Sequence, residues 1–186
     1  VLACNIPTAS RDGTVGRPLA GIDCRIEPVP GLPKGGRLLV RGPNIMSGYL
    51  TVDHPGRLLA PKSEWHDTGD IVEFDQDGFL TIKGRAKRFA KLGGEMVSLM
   101  AVEGHVSSVW PEEGHAVAAI HDARKGEQLV LVTERANADR VELVRWAKDN
   151  GVPELHLPRK IVHVANLPML GTGKIDYAGL QRIAES

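Results

Sequence analysis

Three residues in this chain carry side chains suited to chemistry: an aspartate, an arginine and a lysine. Asp70 closes the stretch Trp65-His66-Asp67-Thr68-Gly69-Asp70, and Arg85 follows Gly84 further on. Between them Ile71, Val72 and Phe74 precede the turn cluster Asp75-Gln76-Asp77-Gly78, and Phe79, Leu80 and Ile82 resume an apolar run with Thr81 and Lys83 interleaved. That pattern predicts a β-hairpin. A hairpin brings its ends together, so Asp70 at the start of one strand and Arg85 just past the end of the other share one rim. A carboxylate can accept two hydrogen bonds from a vicinal diol, and a guanidinium can donate to the same diol. The plainer outcome of the same spacing is a surface ion pair worth little. Lys174 stands in Gly171-Thr172-Gly173-Lys174, a glycine-flanked stretch read as a mobile, exposed loop and too short for a phosphate-cradling P-loop. A compact cation on a long stem suits a phosphate or a carboxylate. A bare Thr-Gly-Lys describes a solvated lysine equally well.

Three motifs occur in order: Trp65-His66-Asp67-Thr68-Gly69-Asp70, Gly84-Arg85-Ala86-Lys87 and Leu167-Pro168-Met169-Leu170-Gly171-Thr172-Gly173-Lys174. From about Gly13 onward the chain resembles the C-terminal part of the acyl-adenylate-forming superfamily of acyl-CoA and acyl-carrier-protein synthetases, peptide-synthetase adenylation domains and luciferases. The resemblance implies a fold and roles. Asp70 and Arg85 would hold the ribose hydroxyls of ATP or AMP. Lys174 would contact the α-phosphate and the acyl carboxylate during adenylation. Lys87 would be the hinge of a small mobile domain, and Gly93 and Gly94 would belong to the loop lining the pantetheine tunnel. Glu103 stands where members carry an acidic residue, and a plain surface charge is as good a reading. ATP and Mg²⁺ are the implied cofactors, with the Mg²⁺ ligands expected upstream; none is expected here. Asp176 departs from the arginine that many members carry there.

Lys87-Arg88-Phe89-Ala90-Lys91, Gly94-Glu95-Met96-Val97-Ser98-Leu99 and Gly151-Val152-Pro153-Glu154-Leu155 resemble one branch of that superfamily. Its members are bacterial bifunctional enzymes joining a 2-acylglycerophosphoethanolamine acyltransferase to an acyl-[acyl-carrier-protein] synthetase. This resemblance implies a fatty acid activated with ATP, acyl carrier protein or CoA as acceptor, lysophospholipid reacylation, and a cytoplasmic protein whose full-length parent associates with the inner face of a membrane. Two other readings stay open: a non-catalytic docking module for a carrier protein, and a luciferase-like oxygenase. The upstream phosphate loop is not found in the chain, which starts abruptly at Val1. The expectation is therefore a C-terminal piece of a longer ligase, inactive by itself.

Composition agrees with an ordinary globular protein. Of 186 residues 42% are hydrophobic and 25% charged, and 23 Lys plus Arg balance 23 Asp plus Glu, so no net field points to nucleic acid or an anionic membrane. Aromatics at 4% are too sparse for base-stacking platforms. No apolar run approaches a bilayer-spanning length. Cys4 and Cys24 have no metal-ligand spacing and read as reduced, structural cysteines.

The elements that must position these residues follow from patterning. Residues 1–13 read as a loop or frayed terminus, 22–27 and 37–41 as strands, and 51–64 as a surface loop. The segment 87–94 reads as a basic stretch broken by Gly93-Gly94. Ser98 caps a helix whose Leu99, Val102, Val106 and Val109 share one face, and Pro111 ends it. Residues 116–120 and 129–132 are continuous apolar runs, read as buried strands joined by a turn at 122–126. A second helix spans 139–150, a third strand 161–164, and a last helix runs from 176 to about 184. The expected fold class is α+β: a small antiparallel β-barrel-like unit over 1–85, then a small α+β sandwich over 86–186.

Overall fold

The computed structural model describes residues 1–61, 63–122 and 126–186, and the chain divides into two compact units, Val1–Lys87 and Arg88–Ser186. Lys62 in the expected surface loop, and Ala123, Arg124 and Lys125 of the expected turn at 122–126, lie outside the described residues.

The first unit holds β1 (Ala3–Cys4), β2 (Arg17–Pro18), β3 (Asp23–Glu27), β4 (Gly36–Arg41), β5 (Tyr49–Thr51), β6 (His54–Leu59), β7 (His66–Phe74) and β8 (Leu80–Arg85). Four of these form an antiparallel sheet in the order β3-β4-β7-β8. Period-two alternation builds its core: Cys24 and Ile26 of β3 point inward with Leu38, Val40, Val72, Phe74 and Leu80. The predicted turn between β7 and β8 closes on the Asp75 carboxylate, which accepts from the backbone of Asp77 and Phe79, each at 2.9 Å. Burial works to raise the Asp75 carboxyl, but those two N–H groups and the Arg11 guanidinium outweigh it and hold it below the usual carboxylate range.

Two stretches expected as loops are strands. Ala3 and Cys4 of β1 pair with Pro18 and Arg17 of β2, and Gly16 is fixed by the contact, since a Cβ there would lie 1.9 Å from the Cys4 carbonyl carbon. Tyr49 pairs with Leu59 and Thr51 with His54, so residues 49–59 form the separate β5–β6 hairpin. β1 and β2, at two residues each, are too short to show an alternation, and exposed β5–β6 lacks the buried face that would create one.

The second unit starts in a 3-10 turn, Ala86–Arg88, then β9 (Phe89–Leu92), β10 (Glu95–Ser98), α1 (Leu99–Val109), β11 (His115–Asp122), β12 (Gly126–Thr133), α2 (Arg140–Asp149), a second 3-10 turn at Glu154–His156, β13 (Lys160–His163) and α3 (Tyr177–Glu185). The basic stretch at 87–94 is thus a hairpin. Leu92 pairs with Glu95, and Gly93 and Gly94 both have positive φ, 57° and 94°, as a two-residue type I′ connection demands. Ser98 caps α1 by accepting from Ala101, and Asp139 and Asp176 cap α2 and α3 in the same way.

In the five-stranded sheet β12 runs antiparallel to β11 and parallel to β13, and meets β9 where Gly126 pairs with Leu92. Leu129 and Leu131 face a core shared with α1 and α2, while Val130 and Val132 face a second core shared with α3. The apolar runs are continuous because both faces are covered. On the α1–α2 side the His105 ring lies 5.5 Å from that of Trp146. Burial, with the nearby charge of His156, holds its imidazole below the ordinary pKa. Folding therefore favours the neutral ring. This contribution is complete above the ordinary imidazole range near 6.5 and fades as pH falls through it toward the lower folded-state value. We expect the stability of this unit to drop between pH 7 and pH 5, and His105→Phe to flatten that drop; thermal unfolding across the pH series measures both.

Candidate functional site

Asp70 is mounted on an irregularity in β7. Leu39 pairs with Asp67 and Arg37 with Ile71, so four steps along β7 are matched by two along β4. Gly69 supplies the φ of +72° that this excursion needs. The Thr68 hydroxyl bridges the gap, donating to the Leu38 carbonyl at 3.0 Å and accepting from Asp70 N at 3.1 Å. On the other edge Asp70 stands opposite Arg85, and Lys83 is the extra residue where Ile71↔Gly84 gives way to Val72↔Ile82. The bulges turn the Asp70 side chain onto Arg85: Arg85 Nε lies 3.1 Å from Asp70 Oδ1, and Arg85 Nη1 donates to the Thr68 carbonyl at 3.1 Å. Asp70 is sheltered at 18% side-chain exposure while Arg85 is open at 68%. Among the described residues Asp70 Oδ2 and Arg85 Nη2 have no other partner, which leaves one acceptor and one donor side by side for a diol.

Lys87 is exposed and is the last residue of the first unit. In the second unit Gly93 and Gly94 project from the β9–β10 hairpin with exposed backbone. Beside Gly93 runs a groove of about 450 Å³ with an apolar wall of Leu92, Leu129, Leu155 and Leu157 and with Glu127 and Arg159 at its polar edge. Among the described residues no group of three or more His, Cys, Asp or Glu side chains could hold a metal ion.

The lysine loop is not a loose tether. Met169 bridges Ile175, Leu170 N donates to the Lys174 carbonyl at 2.7 Å, Gly173 N donates to the Leu170 carbonyl at 2.9 Å, and Asp176 N donates to the Pro168 carbonyl at 2.8 Å. Residues 167–176 thus form a small closed hairpin whose tip, 171–174, is exposed. Lys174 has no ion-pair partner among the described residues. Asp176, the departure from the family pattern, caps α3 and leaves the loop's own hydrogen bonds intact.

Two residues that sequence spacing did not single out hold the roots of this hairpin. On the incoming side Glu134 accepts from Leu167 N at 2.8 Å. On the outgoing side the Arg88 guanidinium lies 4.0 Å from the ring centre of Tyr177. Arg88 also pairs with Glu103 and donates to the Val117 carbonyl at 2.8 Å, and Glu103 in turn accepts from Val117 N at 2.8 Å. Glu103 is therefore no surface charge: its side chain is 17% exposed, and Arg88 is 15% exposed. One basic residue among several at 87–91 carries no spacing that marks it, and only the fold reveals its neighbours.

No family model matches the chain. Over 174 residues it is 32% identical to a probable CoA ligase of Humulus lupulus, covering 89% of this chain and 32% of that protein. Over 170 residues it is 32% identical to a medium-chain-fatty-acid–CoA ligase of Ectopseudomonas oleovorans, covering 86% of this chain and 30% of the relative. Among solved structures, ATP-bound MatB from Rhodopseudomonas palustris superposes with a TM-score of 0.69 at 26% identity, covering 91% of this chain and 35% of that one. The o-succinylbenzoate CoA synthetase of Bacillus subtilis, in complex with its acyl-adenylate intermediate, superposes with a TM-score of 0.71 at 25% identity, covering 90% and 35%. The chain spans about a third of the length of these proteins.

The Thr68-Gly69-Asp70 bulge makes a local prediction. A Cβ at Gly69 meets nothing within 4 Å, so Gly69→Ala brings only backbone strain, about 1–2 kcal/mol for a left-handed non-glycine residue. Thr68→Val leaves a bulge carbonyl and amide without their partner, at about 1–3 kcal/mol. Denaturant unfolding of the two variants against the parent measures both.

Proposed function

We propose that this chain, a C-terminal portion of the AMP-binding acyl- and aryl-CoA ligase type by sequence and fold, works in the ATP-dependent activation of a carboxylic acid. The observation that carries the reading is the Asp70–Arg85 pair, in which a sheltered carboxylate and an open guanidinium present a free acceptor and a free donor together. In the proposed reaction the acid's carboxylate attacks the α-phosphorus of ATP, giving acyl-AMP and pyrophosphate. Asp70 and Arg85 hold the ribose diol, and Lys174 bridges the two anionic groups as they approach. Catalysis by such groups is positioning and charge stabilisation. Mg²⁺ would enter with the nucleotide, with its protein ligands expected upstream of this chain.

In the second step the sulfur of a pantetheine thiol attacks the acyl carbonyl of acyl-AMP, loses its proton and forms the thioester as the acyl–phosphate bond breaks and AMP leaves. Residues 1–85 then serve as the end of a large adenylation domain and 86–186 as a small domain that turns about Lys87. The turn withdraws Lys174 and brings Gly93 and Gly94, with the groove beside them, toward the thiol arm. The motifs shared with the bacterial bifunctional branch support a fatty acid as substrate, acyl carrier protein as acceptor and lysophospholipid reacylation as destination. That reading places the protein in the cytoplasm, with its full-length parent at the inner membrane face; among the described residues no helix is long and apolar enough to cross a membrane. CoA is the rival acceptor, favoured by relatives that are CoA ligases.

In the parent enzyme Lys174→Ala should cut ATP–pyrophosphate exchange by roughly 10²–10³, the usual loss for one charged transition-state stabiliser. Thioester formation from supplied acyl-AMP should stay near normal. Equal losses in both half-reactions would refute the assignment. The 186-residue chain alone should form no acyl-AMP and bind ATP or AMP no tighter than about millimolar, roughly −4 kcal/mol, in calorimetry. Acyl-AMP formed by the chain alone would overturn the division of labour proposed for it.

A further inference from the structure

The lysine hairpin satisfies itself by hydrogen bonds across its own two arms, so those bonds fix its shape and leave its direction free. Its tip is exposed, with Met169 and Leu170 about half-exposed beside it. Direction is therefore set at the two roots. The incoming root is pinned by a directional hydrogen bond, Leu167 N to Glu134 Oε1 at 2.8 Å. The outgoing root is Tyr177, three residues beyond Lys174 and the first residue of α3, and a guanidinium carbon lies over its ring, 4.0 Å from the centre. That cation is held fast. Arg88 spends its donors on the Glu103 carboxylate and the Val117 carbonyl, with Glu103 also bound to Val117 N. Moving Arg88 would leave the Val117 carbonyl of a buried strand and the Glu103 carboxylate without this partner, a cost that opposes its displacement. The ring consequently rests on a cation that two other partners hold in place, in a partly desolvated cation–π contact.

We infer that Arg88 is a positioning residue for Lys174, acting through the Tyr177 ring to aim the lysine hairpin. The inference rests on the adenylation reading of Lys174. With Glu134 still gripping the incoming arm, loss of the ring tilts the hairpin without detaching it. The lysine then spends less time where the reacting anions meet, which lowers turnover more than nucleotide affinity. Arg88 is also the first residue of the second unit, directly after Lys87, so the element that follows the proposed pivot is the one that orients the lysine.

The test uses the parent enzyme with Tyr177→Ala, Tyr177→Leu and Tyr177→Phe, and Lys174→Ala as reference. Tyr177→Ala should lower kcat for ATP–pyrophosphate exchange about tenfold with little change in KM for ATP. Thioester formation from supplied acyl-AMP should be unchanged within about twofold. Tyr177→Phe should restore exchange, since the ring face remains. Tyr177→Leu keeps apolar bulk without a π face, and should remain impaired even if Tyr177→Ala folds poorly. In the 186-residue chain, hydrogen exchange at Leu170 and Gly173 should stay protected in Tyr177→Leu, because the hairpin's internal bonds persist. Full exchange activity in Tyr177→Leu, or equal losses in both half-reactions, would overturn the inference while Lys174→Ala still abolished adenylation. Normal adenylation in Lys174→Ala would instead bring down the reading beneath it.

Discussion

Burial of β12 on both faces is the constraint on which the second unit depends. Val130, Leu131 and Val132 are fully buried in sequence, and no strand can do that unless helices cover it on each side. α1 and α2 take one face and α3 the other. The strand's two ends then carry the features of interest. At its start Gly126 pairs with Leu92 and Glu127 accepts from Lys91, which places the Gly93-Gly94 turn there. Just past its end Glu134 grips Leu167 and so fixes where the lysine hairpin begins. A strand chosen by hydrophobicity alone thereby sets the spacing of two polar loops.

β11 poses the opposite problem, because its outer edge has no strand partner along Val117 and Ala119 among the described residues. Side chains take the place of a strand. Arg88 and Glu103 satisfy the carbonyl and amide of Val117, and Gln181 donates to the Ala119 carbonyl at 3.0 Å. Edge backbone groups left bare invite pairing with another chain. A half-buried ion pair adds little stability in its own right. Here it answers the edge, and the same guanidinium offers its other face to Tyr177. One residue thus links a sheet edge, the first helix and the root of the lysine hairpin.

Much of this was legible in the sequence because single-chain periodicities survive wherever one face is buried. The Ser98 cap, the helix face through Leu99, Val102 and Val106, the doubly buried strands and the juxtaposition of Asp70 with Arg85 all follow from local pattern. The strands at Ala3–Cys4, 49–59 and 89–98 did not, for two reasons. The first are too short or too exposed to alternate. The last was hidden by its own basic residues, although Gly93-Gly94 between two short runs is the signature of a type I′ hairpin. Gly69 inside a strand pattern likewise signals a bulge, and that signal could have placed the Thr68 bridge. Arg88 and Glu134 had no signal at all, since their partners are remote in sequence.

The mounting of each candidate residue bears on how such a chain could work. Asp70 sits on paired strands and is held by a hydroxyl bridge, which suits a group that must stay in register with a bound ribose. The root of the lysine hairpin, Leu167, and the glycine turn are anchored at opposite ends of β12. Seven residue steps at about 3.3 Å each put these two anchor points on the order of 20 Å apart. Shortening β12 would not simply bring the anchors together, because its length is the surface on which α1, α2 and α3 pack. The separation of the two anchor points is thus built into the core by an ordinary packing requirement, with no polar contact needed to maintain it.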